Sequence, residues 1–382
     1  MPNPSVPTDL REIANLFDMR ADFVHGAGYG SGHINDTYCV SFDQAGLLRL
    51  RYIFQRINTR VFKTPVELME NVSRVTRHSL QRLQEDGNPE AHRRTLTCIP
   101  AVDGKAYAVD ALGEYWRVYP FIERATGHDE LETNEQAFQA AKAFGNFQKL
   151  AAGLPGERLH ETIQDFHNTP KRLEALRAAI EADVCNRAAE VKKEIAFALG
   201  REDDCGRITG LIASGDIPER VTHNDTKLNN VLLDDVTAEG VCVIDLDTTM
   251  PGSALYDFGD MVRTAATNKR EDDTNTSSLA VKLDRFEALV RGYLVAGESF
   301  LNTAEIDHLA FSGKLLTLEC GIRFLTDYLK GDVYFKIKSP NHNLDRCRNQ
   351  FAFVAAMEQK MNEMERIVAA NAGIGSTQMA LA

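Results

Sequence analysis

The stretch Thr222-His223-Asn224-Asp225-Thr226-Lys227-Leu228-Asn229-Asn230-Val231-Leu232-Leu233 carries most of what this chain says about itself. An Asp and, five residues later, an Asn stand in a short polar loop that runs straight into an apolar strand-like piece. Fifteen residues after Asn230 a second apolar piece, Val241-Cys242-Val243-Ile244, ends on Asp245, with Asp247 two positions further. A lone H-x-D is an ordinary turn with an Asx cap. Three such residues, each beside an apolar strand, match the needs of phosphoryl transfer. Hard Mg²⁺ takes oxygen donors, and the amide of Asn230 with the carboxylate of Asp245 leaves its other positions to phosphate oxygens and water. Asp225 is then the base that orients an attacking hydroxyl and accepts its proton, with ATP as phosphoryl donor.

A literal Asp257-Phe258-Gly259 follows, but no strand precedes it and Pro251-Gly252-Ser253 does, so Asp257 is expected as an N-cap or a buried support for the catalytic loop. Asp247 is the closer rival, able to assist Asp245 at the metal or to hydrogen-bond substrate. Upstream, Gly28-Tyr29-Gly30-Ser31-Gly32-His33 lies between two predicted strands, where the backbone N–H groups of Gly28, Gly30 and Gly32 can close over phosphates. The third strand offers Gln55 where a phosphate-pairing Lys is expected. Gln55 hydrogen-bonds phosphate without supplying charge, which leaves the cationic role to Arg56 or another residue and puts Glu67 or Glu70 in question as its partner. Phe121-Ile122-Glu123 is a plausible hinge whose backbone receives adenine.

The 382 residues suit two lobes, 1–122 for nucleotide and 123–382 for catalysis. In the first, a short helix is expected over 9–19, strands over 23–28, 35–42 and 47–57, a helix from Pro65 to about Leu83, short strands over 95–99 and 105–109, and a strand over 115–122. The expected product is an α+β, two-lobed, protein-kinase-like fold, its N-lobe a five-stranded antiparallel sheet with a helix. The larger C-lobe is expected to be mainly helical: 133–150 with Thr133 and Gln136 as a capping box, a long helix over 169–199, another before Gly215, then from about Asp257, 286–296, 306–328 and 349–370. The run 268–278 reads as a solvated loop and the last residues, from Gly373, as a tail.

A formal net charge of −12, from 43 Lys+Arg against 55 Asp+Glu, gives no basis for sequence-independent binding to nucleic acid or anionic membranes. No apolar run has the length of a membrane span, and residues 1–7 lack the pattern of a secretory signal, so a soluble cytoplasmic protein is expected. Seven scattered cysteines without a C-x-x-C pair read as reduced thiols.

These residues resemble the aminoglycoside phosphotransferase and choline kinase superfamily, and more narrowly the bacterial N-acetylhexosamine 1-kinases. The matching stretches include Tyr29 to Asn35, Trp116-Arg117-Val118-Tyr119, Thr222 to Asn230, Ile244 to Thr248 with Met250 to Ser253, Leu316 to Leu325, and Gly331-Asp332-Val333-Tyr334-Phe335. They span about residues 9–368. The resemblance implies transfer of the ATP γ-phosphoryl to the anomeric 1-hydroxyl of GlcNAc or GalNAc, with Arg323, Tyr334 and His33 at sugar-contacting positions and the C-lobe as the sugar-binding one. From spacing alone, Glu319, Arg323 and Asp327 at i, i+4 and i+8 line one helix face, suited to sugar hydroxyls or to a solvated ion-pair stripe. Glu319 is counted among the substrate-binding candidates. The competing expectations are a kinase of another small alcohol (another amino sugar, choline or homoserine) and a catalytically silent nucleotide-binding module. A choline site needs an aromatic cage, and no such cluster stands out around Arg323 in the sequence. Oligomeric state has no sequence signal here.

Overall fold

The computed structural model describes residues 9–30, 34–130 and 132–372. The chain divides into two compact units, one formed by Met1–Ala125, Gly153–Ile163 and Cys242–Thr249, the other by Thr126–Ala152, Gln164–Val241 and Met250–Ala382. The fold is α+β, with a five-stranded antiparallel sheet in the first unit and a mainly helical second unit.

Strands β1 (Asp22–Gly28), β2 (Asp36–Gln44), β3 (Leu48–Arg56), β4 (Ala108–Val109) and β5 (Tyr115–Pro120) form the first unit's sheet in the order β1-β2-β3-β5-β4. Residues 95–99 were expected as a strand and are not one; Ile99 gives one backbone bond to Val118, and the sheet edge is instead the two-residue β4. One sheet face carries Val40, Phe42, Phe54, Trp116 and Val118, closed by Leu10, Ile13 and Phe17 at and beyond helix α1 (Leu10–Ala14). Each such side chain contributes roughly 1.5–3 kcal/mol through burial.

Helix α2 (Pro65–Glu85) starts on Pro65, whose fixed φ suits a first helical position. It buries Leu68, Met69, Val72, Val75 and Thr76 at three- and four-residue spacing. Its buried Asn71 is a clamp: Nδ2 donates to the carbonyls of His160 (2.8 Å) and Thr249 (3.1 Å), while Oδ1 accepts from His160 N (3.0 Å). One side chain thus ties the segments 153–163 and 242–249 to the sheet unit.

In the second unit the Thr133–Gln136 capping box is present, opening helix Asn134–Ala151. This helix packs against Leu283–Gly297, and Gly292 permits the approach because a Cβ there would strike the Phe138 carbonyl. Helix Leu309–Leu329 contacts Ala254–Ala265 and His342–Asn371. The single helix expected over 169–199 is broken into Thr169–Ala182 and Lys192–Leu199 by Asp183, which adopts φ 34° and whose Oδ1 accepts from Arg187 N and Ala188 N. The 306–328 helix likewise splits at His308 into Thr303–Asp307 and Leu309–Leu329. The segment before the His223–Asn230 loop, Arg220–Thr222, pairs antiparallel with Met250–Gly252, and Val231–Asp234 leaves the loop on its other side.

Candidate active site

The loop between those strands is held from below by Asp257. Thr222 Oγ1 donates to the Met250 carbonyl (3.1 Å) and to Asn224 Oδ1 (3.0 Å), fixing the start of the turn. Asn224 then takes φ 63°, a left-handed conformation that Asn tolerates better than most residues. This turns two successive amides onto one carboxylate: His223 N reaches Asp257 Oδ2 at 3.0 Å and Asn224 N reaches Oδ1 at 2.7 Å. Gln148 Nε2 donates to Oδ2 as well, and Thr226 Oγ1 donates to the Asp257 carbonyl. Asp257 is fully buried inside helix Ala254–Ala265, whose N-cap is Ser253; of the two expectations for Asp257, buried support is the one observed. Burial pushes its carboxyl pKa up, with His223 opposing.

A second brace lies beside it. His167 bonds the Asn224 carbonyl through Nε2 (2.9 Å) and Glu319 Oε1 through Nδ1 (2.8 Å), and Thr169 Oγ1 donates to Glu319 Oε2 (2.7 Å). Two acceptors on two ring nitrogens require the imidazolium. Burial opposes that charge, but Glu319 outweighs it and raises the His167 pKa. Both Glu319 oxygens are therefore engaged inside the unit, and its side chain is 1% exposed.

Asp225 emerges from this braced turn with its side chain 21% exposed. Its Oδ1 lies 2.9 Å from Lys227 Nζ. Burial pushes the carboxyl up, yet Lys227, aided by His223 and Arg263, more than offsets it and holds Asp225 below the ordinary range. Asn230 Nδ2 donates to the Asp225 carbonyl at 2.9 Å, so the amide is oriented by its nitrogen and offers Oδ1, the atom a hard cation takes.

In the first unit, Asp245 lies two residues past the strand Gly240–Val243, in the left-handed conformation, φ 60°. Two residues later Asp247 is 3% exposed and forms an ion pair with Arg117, itself 1% exposed. Asn35 Nδ2 donates to Asp247 Oδ2 (2.6 Å) and Thr162 Oγ1 to its carbonyl (3.1 Å). Cross-strand register sets Arg117 opposite Gln55, whose Oε1 accepts from Arg117 Nε (3.0 Å) while Nε2 donates to Thr37 Oγ1 (3.1 Å). Arg56 is turned to Asp36 at the sheet surface (2.9 Å), and Glu70 meets His160 at 3.1 Å. Arg117 is the cation sequence reasoning missed at this point. Its signal was a charged residue inside the apolar run Tyr115-Trp116-Arg117-Val118-Tyr119, since a buried charge requires a partner.

Around the expected hinge, Phe121 N donates to the Arg51 carbonyl (2.9 Å), the Arg51 guanidinium lies 3.8 Å over the Phe121 ring, and Tyr29 packs edge-on against it at 5.5 Å. Ile122 is half-buried. Gly28 closes β1 opposite Tyr38, and Gly30 has φ 81°. Gly32 and His33 lie outside the described residues.

Arg323 sits on Leu309–Leu329 with its guanidinium 5.1 Å from the Phe166 ring and 5.6 Å from that of Phe335. An aromatic pair not evident from sequence thus flanks Arg323, contrary to expectation, because Phe166 and Phe335 approach it from distant segments. Tyr334 is 60% exposed, with its ring 4.7 Å from Phe335. Asp327 holds this loop, Oδ1 accepting from Val333 N and Tyr334 N and Oδ2 from Phe335 N. Buried Glu319 and Asp327 exclude the solvated-stripe reading of that helix face.

A model of the phosphotransferase enzyme family matches residues 25–280. The chain belongs to that family. In fold, this phosphotransferase is similar to a spectinomycin phosphotransferase in complex with ADP and spectinomycin (14% identity over 94% of this chain and 100% of the other, TM-score 0.57). It is similar also to an aminoglycoside phosphotransferase from Alicyclobacillus acidocaldarius (15%, 95% and 98%, 0.57) and to a microcompartment-associated aminopropanol kinase (15%, 93% and 98%, 0.53). No helix of this phosphotransferase among the described residues is long and apolar enough to cross a membrane.

Proposed function

We propose that this phosphotransferase transfers the ATP γ-phosphoryl group to the anomeric 1-hydroxyl of an N-acetylhexosamine, GlcNAc or GalNAc. The observation that carries the reading is the Asp225 carboxylate, partly exposed on a turn clamped by Asp257 and His167 and kept ionised by Lys227. An ionised, immobile carboxylate suits a group that orients a hydroxyl and takes its proton late, as phosphoryl leaves in line through a loose transition state.

Asn230 and Asp245 offer the oxygen donors appropriate to Mg²⁺, which when bound neutralises charge on the phosphate oxygens. Gly28, Gly30 and Gly32 offer backbone N–H groups to the phosphates, and the Phe121-Ile122 backbone receives adenine. For the acceptor, Arg323 and Tyr334, with His33, are proposed to contact sugar hydroxyls, and Glu319 contributes by holding His167. The Phe166–Phe335 pair favours a neutral acceptor over choline, since the rings already face a guanidinium that repels a quaternary ammonium.

The test is phosphorus NMR of the purified protein with Mg·ATP and GlcNAc, GalNAc, glucose, galactose, choline or homoserine. Sugar 1-phosphate formed only from the N-acetylated hexosamines, and lost in Asp225→Asn, is the expected result. A phosphorylated product from another acceptor overturns the sugar assignment; ATP binding without any product favours a silent module.

A further inference from the structure

The third strand of this phosphotransferase carries Gln55 where a lysine was expected, yet the sheet buries a cation on the neighbouring strand. Arg117 donates from Nε to Gln55 and pairs through Nη1 with Asp247, while Met69 of α2 packs against the same Nη1 (Sδ at 3.9 Å). No path to solvent phosphate is open to a side chain 1% exposed. Its charge is spent on a carboxylate two residues from Asp245. That carboxylate's other oxygen is held by Asn35, the residue immediately before β2 on the exit from the glycine-rich turn. Three segments of one unit therefore meet at the Asp247 carboxylate: the turn's exit, β5 and the segment that carries Asp245 and Asp247.

A buried ion pair is a poor device for stability alone, because an apolar pair of similar volume serves as well or better. What an apolar pair does not do is fix the direction of a carboxylate. Arginine's planar fork reaches Gln55 and Asp247 at once, a geometry that a lysine ammonium on a flexible stem does not reproduce.

We propose that Arg117 is a positioning residue: acting through Asp247, without contact to phosphate, it orients the Asp245 turn for Mg²⁺ and so makes nucleotide binding depend on the metal. The inference rests on the Mg·ATP reading above. It gives Asp247 a fixed structural partner in place of a metal or substrate, and it places a buried positive charge on β5 beside Gln55, the β3 position where a lysine was expected.

The experiment is calorimetric titration of ADP, with and without Mg²⁺, into the whole protein and its variants. Arg117→Met strands a buried carboxylate and endangers folding, so the decisive variant is Arg117→Met/Asp247→Asn, which removes both charges. In wild type Mg²⁺ is expected to tighten ADP. In the folded double variant that gain is expected to shrink by about tenfold or more, while affinity for metal-free ADP shifts less than about threefold. Arg117→Lys is expected to fall between. Should the double variant unfold, Asn35→Ala, which frees one Asp247 oxygen and leaves the ion pair in place, is expected to reduce the gain by about threefold. A folded double variant, or Asn35→Ala in its place, with the full Mg²⁺ gain overturns the proposal and leaves the Mg·ATP reading standing. Absence of any gain in wild type overturns both.

Discussion

Replacing Asp257 by Asn tests how far the turn that carries Asp225, the proposed base, depends on a buried charge. The carboxylate accepts three hydrogen bonds: Oδ2 from His223 N and Gln148 Nε2, Oδ1 from Asn224 N. An Asn has one accepting atom, and its best placement keeps the oxygen at the Oδ2 position, where two donors converge. The new NH₂ then faces the Asn224 amide, donor against donor, in a fully buried place. One charge-assisted bond is lost and two buried donors, the Asn224 N–H and the new NH₂, are left unmet, which together cost about 2–4 kcal/mol. In calorimetry this corresponds to a Tm lower by about 2–5 °C. The displaced residue is Asn224, whose neighbour is Asp225, so the folded enzyme is expected to lose about 10–100-fold in kcat with the KM for ATP nearly unchanged. Asp225→Asn is the contrast: its side chain is partly exposed, so Tm stays close to wild type while turnover collapses. A Tm within about 1 °C of wild type and kcat within about twofold for Asp257→Asn refutes the account of the brace.

Arg323→Ala is expected to raise the KM for the acceptor about tenfold or more and to leave the KM for ATP within about twofold; equal effects on both remove Arg323 from the acceptor site. The His167–Glu319 pair gives a pH dependence whose sign follows from its shifts. The His167 pKa is raised, so its contribution to stability is complete below its ordinary 6.5 and fades as pH rises through the raised folded value. Glu319 is lowered by His167 against the effect of burial, so its contribution is present above its ordinary 4.5 and fades as pH falls through the lowered folded value. Urea midpoints measured from pH 5 to 9 are expected to decline at the alkaline end in wild type and to lose that decline in Glu319→Gln; parallel curves refute the pairing.

Much of the fold is local chemistry and was legible as such. Pro65 at a first helical position, the Thr133–Gln136 capping box, and the apolar β2 and β3 runs need only neighbours within a few residues, and the elements stand where these signals put them. Breaks were harder. Nothing in the apolar spacing of 169–199 marks Asp183 as a left-handed stop, because the stop is a side-chain bond to Arg187 and Ala188 that forms only once the turn exists. Residues 95–99 have strand-like composition but form no ladder, giving the sheet a single bond from Ile99 N to the Val118 carbonyl of β5.

The sequence by itself determined which chemical groups are available and in what order: Asp225, Asn230 and Asp245 at their spacing, a glycine-rich turn ahead of them, and a third strand without lysine. Only the tertiary structure decided what holds those groups. His167 meets Glu319 across 152 residues, Asn35 meets Asp247 across 212, and Arg117 meets Gln55 through strand register. Such pairs have no local signature, because a buried charge chooses its partner by where the folded chain delivers one, and desolvation then makes that choice binding.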